Sequence, residues 1–254
     1  MSKNFLHGLA GVVFALFSSL VQAEPLQVAV ASNFMAPMRQ IAVAFERESG
    51  HTLVPSFGAT GKFYAQITNG APFQVLLAAD SETPDRLCRE NLAVCASRFT
   101  YAQGQLVLWS SQPSVVDAQG TVLRTGTFKH LAMANPQTAP YGAAAMQVIN
   151  KLELAPVLRP RLVQGDSVTQ AYQFVASGNA PLGFVAASQV MAEGRLVAGS
   201  AWLVPADYYA PIRQDAVLLN KGQESIAAKA FLTYLKTEKA RAIMQSYGYS
   251  HPGK

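Results

Sequence analysis

Short, uncharged apolar runs alternate with helical stretches along this chain, and that alternation limits the folds it can adopt. The runs 26–31 and 75–79 contain no charged residue. Uncharged strands of this kind suit a parallel sheet that helices cover on both faces. Between the runs, apolar residues recur with helical spacing until Gly50, a typical helix stop. The sequence therefore predicts the α/β class, with doubly wound and mostly parallel sheets.

The alternation occurs twice, in two series separated by a polar loop with Pro113 and Gly120. The last strand and helix are expected to return to the first series, so the prediction is a two-lobed clam. We place the first lobe at residues 24–105 plus 211–254 and the second at 106–210. The expected strands are 26–31, 52–57, 75–79, 105–110, 130–134, 161–163, 182–185 and 215–219, and the expected helices are 34–49, 61–69, 141–152, 168–176 and 226–236.

Residues 1–23 have the pattern of an export signal peptide. Lys3 precedes an apolar stretch over 9–20, and the segment ends on Ala23. The apolar stretch is shorter than the roughly 20 residues that span a membrane. We expect cleavage after Ala23 and a periplasmic protein; the alternative is a retained N-terminal anchor helix.

The composition predicts a globular protein with a substantial core and argues against nucleic acid as a partner. Half of the 254 residues are hydrophobic and 14% are charged. The net charge is +5, but the sequence contains no run of Lys and Arg with interleaved aromatic residues. A mildly basic surface can speed the approach of a small anion. We also expect a monomer.

The two cysteines, Cys88 and Cys95, are separated by six residues. In an oxidising compartment, cysteines this close most simply pair with each other, provided that their Cα atoms come within about 7 Å. A catalytic thiol needs a nearby base, and the nearest histidines, His51 and His130, are far along the chain. The pair is therefore a candidate disulfide.

Four short turns, rich in glycine or hydroxyl residues, stand where helices are expected to begin. A helix start presents backbone N–H groups without an intrahelical partner, and the macrodipole adds about half a positive charge there. Several such starts aimed at one point can hold an anion without a cationic side chain. Because ligands bind beyond the carboxyl ends of the strands in such sheets, we expect an oxyanion site in the interlobe cleft. The turns are 31–34, 58–62, 139–142 and 165–168.

Three motifs and a C-terminal pattern carry a family resemblance that spans most of the chain. They are VAVASN at 28–33, SFGATGKFYAQI at 56–67, APLGF at 180–184 and KAFLTYL at 229–235. With these motifs the chain resembles the periplasmic molybdate-binding proteins of ABC importers. The resemblance implies a type II periplasmic binding-protein fold, no cofactor, and a molybdate or tungstate ion that is passed to an inner-membrane permease.

In that family, neutral donors hold the oxyanion, and the metal is bound only through the oxygens of the ion. By motif position, the resemblance assigns the contacts to Ser32 and Asn33 after the first strand and to Thr60 in the GATG turn. Tyr141 opens the third turn, and the backbone N–H of Val168 completes the set. The resemblance thus gives five ligand-binding residues and no direct metal ligand.

Three further positions bear on this assignment. Some members of the family carry a ligand tyrosine where this chain has Ala186, so the chain resembles the subgroup with tyrosine at the third turn. Asp166 is expected to cap the helix that follows it, because an inward carboxylate would repel a dianion. Lys62 is expected to be solvated rather than in contact with the ion.

Alternatives stay open from the sequence alone. Ser, Asn and Thr at these positions also make ordinary helix caps. The same fold could bind another oxyanion such as sulfate, or an organic anion. A secreted hydrolase of phosphate or sulfate esters would need an activated nucleophile or a metal site. The sequence places no histidine near the turns and shows no acidic cluster, so it favours binding over catalysis.

Overall fold

The computed structural model describes residues 24–250, and the expected export segment lies outside them. The first part of the chain forms β1 (Leu26–Ala31), α1 (Met35–Ser49), β2 (Leu53–Gly58), α2 (Thr60–Thr68), β3 (Val75–Leu77), α3 (Glu82–Arg89) and β4 (Ala93–Gly104). The middle part forms β5 (Leu106–Ser110), α4 (Val122–Thr125), β6 (Leu131–Ala134), α5 (Pro140–Lys151), α6 (Ala155–Leu158), β7 (Leu162–Gly165), α7 (Val168–Ala176), β8 (Leu182–Ala186), α8 (Ala187–Val190), β9 (Met191–Ala192), β10 (Arg195–Leu196) and β11 (Ser200–Leu203). The last part forms β12 (Ile212–Leu219), α9 (Ile226–Tyr234) and α10 (Glu238–Ser246).

Two five-stranded sheets, one in each lobe, form the framework of the molecule. Their strand orders are β2-β1-β3-β12-β4 in the first lobe and β11-β5-β8-β6-β7 in the second. In the first sheet all strands but β12 run in one direction, and in the second all but β5. The predicted fold class, a two-lobed α/β clam with mostly parallel sheets, is confirmed. The residue boundaries given above for the lobes stay predictions.

The core of the first lobe is built by the helices that the apolar spacing predicts. Met38 and Ile41 of α1 are fully buried against the sheet. Phe231, Leu232 and Leu235, in and just after α9, belong to the same cluster. The closing helix therefore packs onto the first lobe, as its amphipathic pattern predicts.

The core of the second lobe continues across the interface between the lobes. Val148 and Ile149 of α5 are fully buried in a cluster that also contains Ala31, Ala59 and Ala79 of the first lobe. Because apolar atoms of both lobes share one cluster, the lobes are in contact around the predicted site. Among the described residues, we find no helix with both the length and the apolar character needed to span a bilayer.

Three elements of the first lobe are absent from the sequence predictions. The 12-residue strand β4 has a half-exposed, mixed polar composition that gives a weak strand signal. The helices α3 and α10 bury only two residues each, so the sequence offers few apolar positions from which to recognise them. Tertiary packing stabilises all three elements: β4 pairs with β12, α3 packs against both of these strands, and α10 packs against α1.

Candidate functional site

Each of the four predicted turns opens a helix in the structure. A 3-10 turn begins at Ser32, directly after β1, and α2 begins at Thr60, two residues after β2 ends. In the second lobe, α5 begins at Pro140 after β6, and α7 begins at Val168 after β7. All four helix starts follow the carboxyl ends of mutually parallel strands, where ligands of such folds bind.

The four helix starts surround one small cavity between the lobes. Its volume is about 10 Å³. Among the described residues, none on this wall carries a charged side chain. The wall contains all five predicted binding residues, Ser32, Asn33, Thr60, Tyr141 and Val168, together with Ala31, Gly58, Ala59, Ala79, Ala139 and Pro140.

The Thr60 hydroxyl is held in place by the backbone of the first lobe. Its Oγ1 accepts a hydrogen bond from the N–H of Ala79 at 3.0 Å, and the residue is 1% exposed. A threonine hydroxyl has one proton to donate and can also accept. Because the acceptor side is used by Ala79, the proton of Thr60 is left for an acceptor in the cavity.

The Tyr141 hydroxyl lies against the hinge between the lobes. Its oxygen accepts from Nε2 of Gln214 at 3.2 Å. A Cβ atom on Gly104 would come within 2.0 Å of this oxygen, so only glycine leaves room for the phenol there. Burial raises the pKa of Tyr141 well above its ordinary value, so the hydroxyl keeps its proton and remains a donor.

The side chain of Asn33 has a different role from the one that the motif suggests. Its Nδ2 donates to Oε1 of Gln214 at 2.9 Å and to the hydroxyl of Tyr249 at 2.8 Å. A carboxamide nitrogen has only two protons, and both are used inside the protein. Of the donors of Asn33 itself, only the backbone N–H remains for a ligand.

A buried polar network behind the cavity was missed by the sequence analysis. Gln214 and Tyr101 are joined by a 3.0 Å hydrogen bond, and both are buried. The Tyr249 hydroxyl donates to the carbonyl of Asn33 at 2.9 Å, and Ser188 of the second lobe donates to the same carbonyl at 2.7 Å. Burial raises the pKa of Tyr249 to about 12. The one available signal was Gln214 itself, an uncharged polar residue in the otherwise largely apolar strand β12.

Contacts across the cleft show that the lobes are closed over the cavity. The N–H of Gly61 donates to the carbonyl of Thr138 at 2.9 Å. The hydroxyl of Thr169 donates to the carbonyl of Ser32 at 3.1 Å. A Cβ atom on Gly61 would lie 3.0 Å from both Cα and O of Thr138, so a larger residue would push the Thr138 backbone away by a few tenths of an ångström.

An exposed ion pair joins the two lobes outside the cavity. Nζ of Lys62 lies 2.7 Å from Oδ2 of Asp166. Lys62 is absent from the cavity wall, as predicted, although it is paired rather than only solvated. The prediction that Asp166 caps α7 is wrong: Ser167 is the cap, and its hydroxyl accepts from the N–H of Gln170. Asp166 lies one residue before the N-cap position of α7, and its carboxylate pairs with Lys62 instead.

The candidate disulfide is absent from the structure, in which Cys88 and Cys95 are free thiols. Cys88 lies in α3, while the Sγ of Cys95, on an exposed part of β4, donates to the carbonyl of Ala93 at 3.7 Å. The pKa of the Cys88 thiol is raised to about 11, mainly by burial and to a lesser extent by the neighbouring Cys95. A thiol with so high a pKa carries little thiolate at neutral pH and is a poor nucleophile.

Comparison with known proteins gives a family for this fold and cavity. A family model described as "Bacterial extracellular solute-binding protein" matches residues 26–250. The chain belongs to this family. Among the solute-binding proteins, the molybdate-binding protein ModA of Azotobacter vinelandii is 56% identical over 245 residues, 95% of this chain and 97% of that protein.

A second relative and a solved structure support the same placement. The molybdate-binding protein ModA of Rhodobacter capsulatus is 53% identical over 222 residues, 87% of this chain and 86% of that protein. The solved structure of the Azotobacter vinelandii periplasmic molybdate-binding protein matches with a TM-score of 0.86 at 44% identity, over 89% of this chain and 99% of that one. The resemblance inferred from the motifs is thereby confirmed.

Proposed function

We propose that the cavity between the lobes binds molybdate for delivery to an ABC importer. Relatives at 56% and 53% identity are molybdate-binding proteins, and they align over most of this chain. The protein is accordingly a periplasmic solute-binding protein of an ABC transporter and not an enzyme. One observation carries the site assignment: four helix starts, two from each lobe, meet at a cavity whose described wall is uncharged.

The chemistry of the wall matches the chemistry of the ion. Molybdate is a tetrahedral dianion whose oxygens only accept hydrogen bonds at neutral pH. The wall offers the hydroxyls of Ser32, Thr60 and Tyr141 and the backbone N–H groups at Asn33 and Val168. A hydrogen bond to a charged partner contributes about 1.5–3 kcal/mol. Five or more such bonds supply the roughly 8–11 kcal/mol that micromolar to ten-nanomolar binding needs, after ordering costs.

Closure of the lobes is proposed to trap the ion, and opening on the transporter to release it. The contacts of Gly61 with Thr138 and of Thr169 with Ser32 cross the cleft beside the cavity, so they form only when the lobes close. We place the lobes at residues 24–105 plus 211–254 and at 106–210. The protein acts as a monomer, exported after cleavage behind Ala23, and passes the ion to an inner-membrane permease.

The same wall is proposed to accept tungstate and to reject phosphate. Tungstate has the charge and shape of molybdate, so it meets the same donors. Phosphate carries a proton at neutral pH and needs an acceptor, which a wall of donors does not offer. Sulfate carries no proton, and we propose that its smaller size leaves its oxygens too far from donors on opposite sides of the cavity.

A calorimetric titration of the exported protein with molybdate, tungstate, sulfate and phosphate tests this function. We expect molybdate and tungstate to bind with a Kd of about 1 μM or below. We expect phosphate to bind so weakly that only competition against molybdate measures it, and sulfate to bind far more weakly than molybdate. Absence of molybdate binding, or tighter binding of sulfate, would show that the fold serves a different anion.

A further inference from the structure

One buried side chain, Gln214 of β12, connects donors of the first lobe with the cavity wall of the second. It is fully buried, and its Oε1 accepts from Nδ2 of Asn33 at 2.9 Å. Its Nε2 donates to the hydroxyl oxygen of Tyr141 at 3.2 Å. Gln214 is not among the residues of the cavity wall, so it acts on a ligand only through its neighbours.

The direction of the bond between Gln214 and Tyr141 is set by Asn33. Reversing the Gln214 amide would place its NH₂ group against the NH₂ group of Asn33, so the hydrogen bond between these two side chains would be lost. Asn33 is held in turn by Tyr249, which accepts from the second proton of Nδ2 at 2.8 Å. The amide of Gln214 is therefore fixed with its donor end toward Tyr141.

A phenol hydroxyl that accepts from Gln214 has its own proton available for another acceptor. We propose that Gln214 is a positioning residue, which fixes Tyr141 as a hydrogen-bond donor toward the bound oxyanion. The proposal rests on the proposed function and adds a source of selectivity to it. A fixed donor suits molybdate, whose oxygens carry no proton, and disfavours hydrogen phosphate, whose hydroxyl must itself find an acceptor.

The ionisable groups around Gln214 are phenols and two carboxyls. Burial raises the pKa values of Tyr101, Tyr141 and Tyr249, so these phenols stay protonated at neutral pH. The carboxyls of Asp80 and Asp215 act on Tyr101, whose pKa they raise further. These phenols therefore add no pH dependence to molybdate binding by the wild-type protein near neutral pH.

The substitution Gln214→Glu reverses the hydrogen bond without changing the shape of the side chain. An ionised Glu accepts from Tyr141, so the phenol proton is withdrawn from the ion. At about pH 8 we expect molybdate binding to weaken about 10-fold or more. A buried carboxyl has a raised pKa, so lowering the pH to about 5.5 protonates it, restores a donor and recovers affinity.

Making Gln214→Glu in a protein that already carries Tyr141→Phe separates this effect from simple repulsion between the introduced carboxylate and the ion. If Gln214 acts through Tyr141, most of the pH-dependent loss disappears when Gln214→Glu is made in the Tyr141→Phe protein. An equally steep pH dependence in both backgrounds would overturn the inference, because repulsion does not need the phenol. Affinity of Gln214→Glu equal to wild type at both pH values would also overturn it.

Gln74→Glu is the matched control. Gln74 accepts from the N–H of Gln27 at 3.1 Å in the first lobe, and it does not line the cavity. We expect this variant to bind molybdate as the wild type does at both pH values. The same pH dependence in Gln74→Glu would overturn the inference, whereas failure of the wild-type protein to bind molybdate would overturn the proposed function itself.

A second variant keeps the inference testable if Gln214→Glu does not fold. Gln214→Met removes the donor without adding charge, so the Tyr141 oxygen becomes free to accept. We expect the ratio of molybdate affinity to phosphate affinity to fall about 10-fold, measured by competition. An equal loss for both anions would indicate a purely structural role and contradict the proposal.

Discussion

Two cavities lie side by side between the lobes, and their walls differ in charge. The small cavity has a volume of about 10 Å³ and an uncharged wall among the described residues. The larger cleft has a volume of about 520 Å³, within the ordinary size range of ligand pockets. Both share Ala79, Ala139 and Pro140. The charged residues of the larger cleft are Asp80, Glu82, Arg86 and Arg213.

This difference in charge, rather than the size of the cavities, is the reason we propose the small cavity as the molybdate site. Glu82, Arg86 and Arg213 are exposed in the larger cleft, where water solvates their charges. Arg86 is paired with Glu90 at 2.9 Å, so its charge is already used. Burial raises the pKa of Asp80, and its carboxyl would oppose an anion in that cleft once ionised. The small cavity instead presents fixed dipoles, which need no water to be stable and suit a dianion.

The largest expected effect comes from placing a carboxylate in the small cavity. At about 4 Å and an effective dielectric constant near 20, two unit charges repel by about 4 kcal/mol, and molybdate carries two. Ser32→Asp should therefore abolish molybdate binding in calorimetry. Ser81→Asp, the same change in the larger cleft, should bind as the wild type does. A strong loss from Ser81→Asp would place the ion in the larger cleft instead.

Removal of one donor should have the next largest effect. Thr60→Val keeps the shape of the side chain but loses the hydroxyl, so molybdate binding should weaken by about 1.5–3 kcal/mol. Part of any loss of folding stability would come from the N–H of Ala79, which loses its acceptor. Thr83→Val in the larger cleft is the control, and unchanged binding in Thr60→Val would remove this residue from the site.

Closure of the lobes can be tested at Gly61. Gly61→Ala sets a Cβ atom 3.0 Å from Thr138, so it should hinder closure and weaken molybdate binding by about 1 kcal/mol. In the open, ligand-free protein the same change lies in the first turn of α2, where Ala is favoured over Gly. We expect the melting temperature without ligand to stay equal or rise. Equal binding would show that closure tolerates the added methyl group.

The smallest effect is expected for the exposed ion pair of Lys62 with Asp166. Their side chains are 46% and 73% exposed, and such pairs contribute about 0–1 kcal/mol. Lys62→Gln should reduce molybdate affinity by less than about fivefold, and added salt should remove the difference. A loss as large as that of Thr60→Val would mean that Lys62 reaches the ion.

The position of the cavity could be predicted because its parts are local in sequence. Each helix start is marked by a strand end followed by capping or glycine residues, as at Ser32 and Thr60. The family motifs then indicate which of these residues belong together. Such short patterns are sufficient to locate a site that is built from helix starts.

What could not be predicted depends on residues far apart in sequence. The amide of Asn33 is engaged by Tyr249, 216 residues away, and by Gln214. No local pattern reveals those contacts, so the motif alone could not show that the Asn33 side chain is engaged inside the protein. The prediction that Asp166 caps α7 was wrong for a similar reason, because its partner Lys62 lies in the other lobe.

A crystal structure of the protein with bound molybdate, with the metal located by anomalous scattering, would show where the ion binds. We expect molybdenum in the small cavity, with the hydroxyls of Thr60 and Tyr141 within hydrogen-bond distance of the molybdate oxygens. No Lys or Arg side chain should contact the ion. Molybdenum in the larger cleft, beside Arg86 and Arg213, would show that the proposed site is wrong.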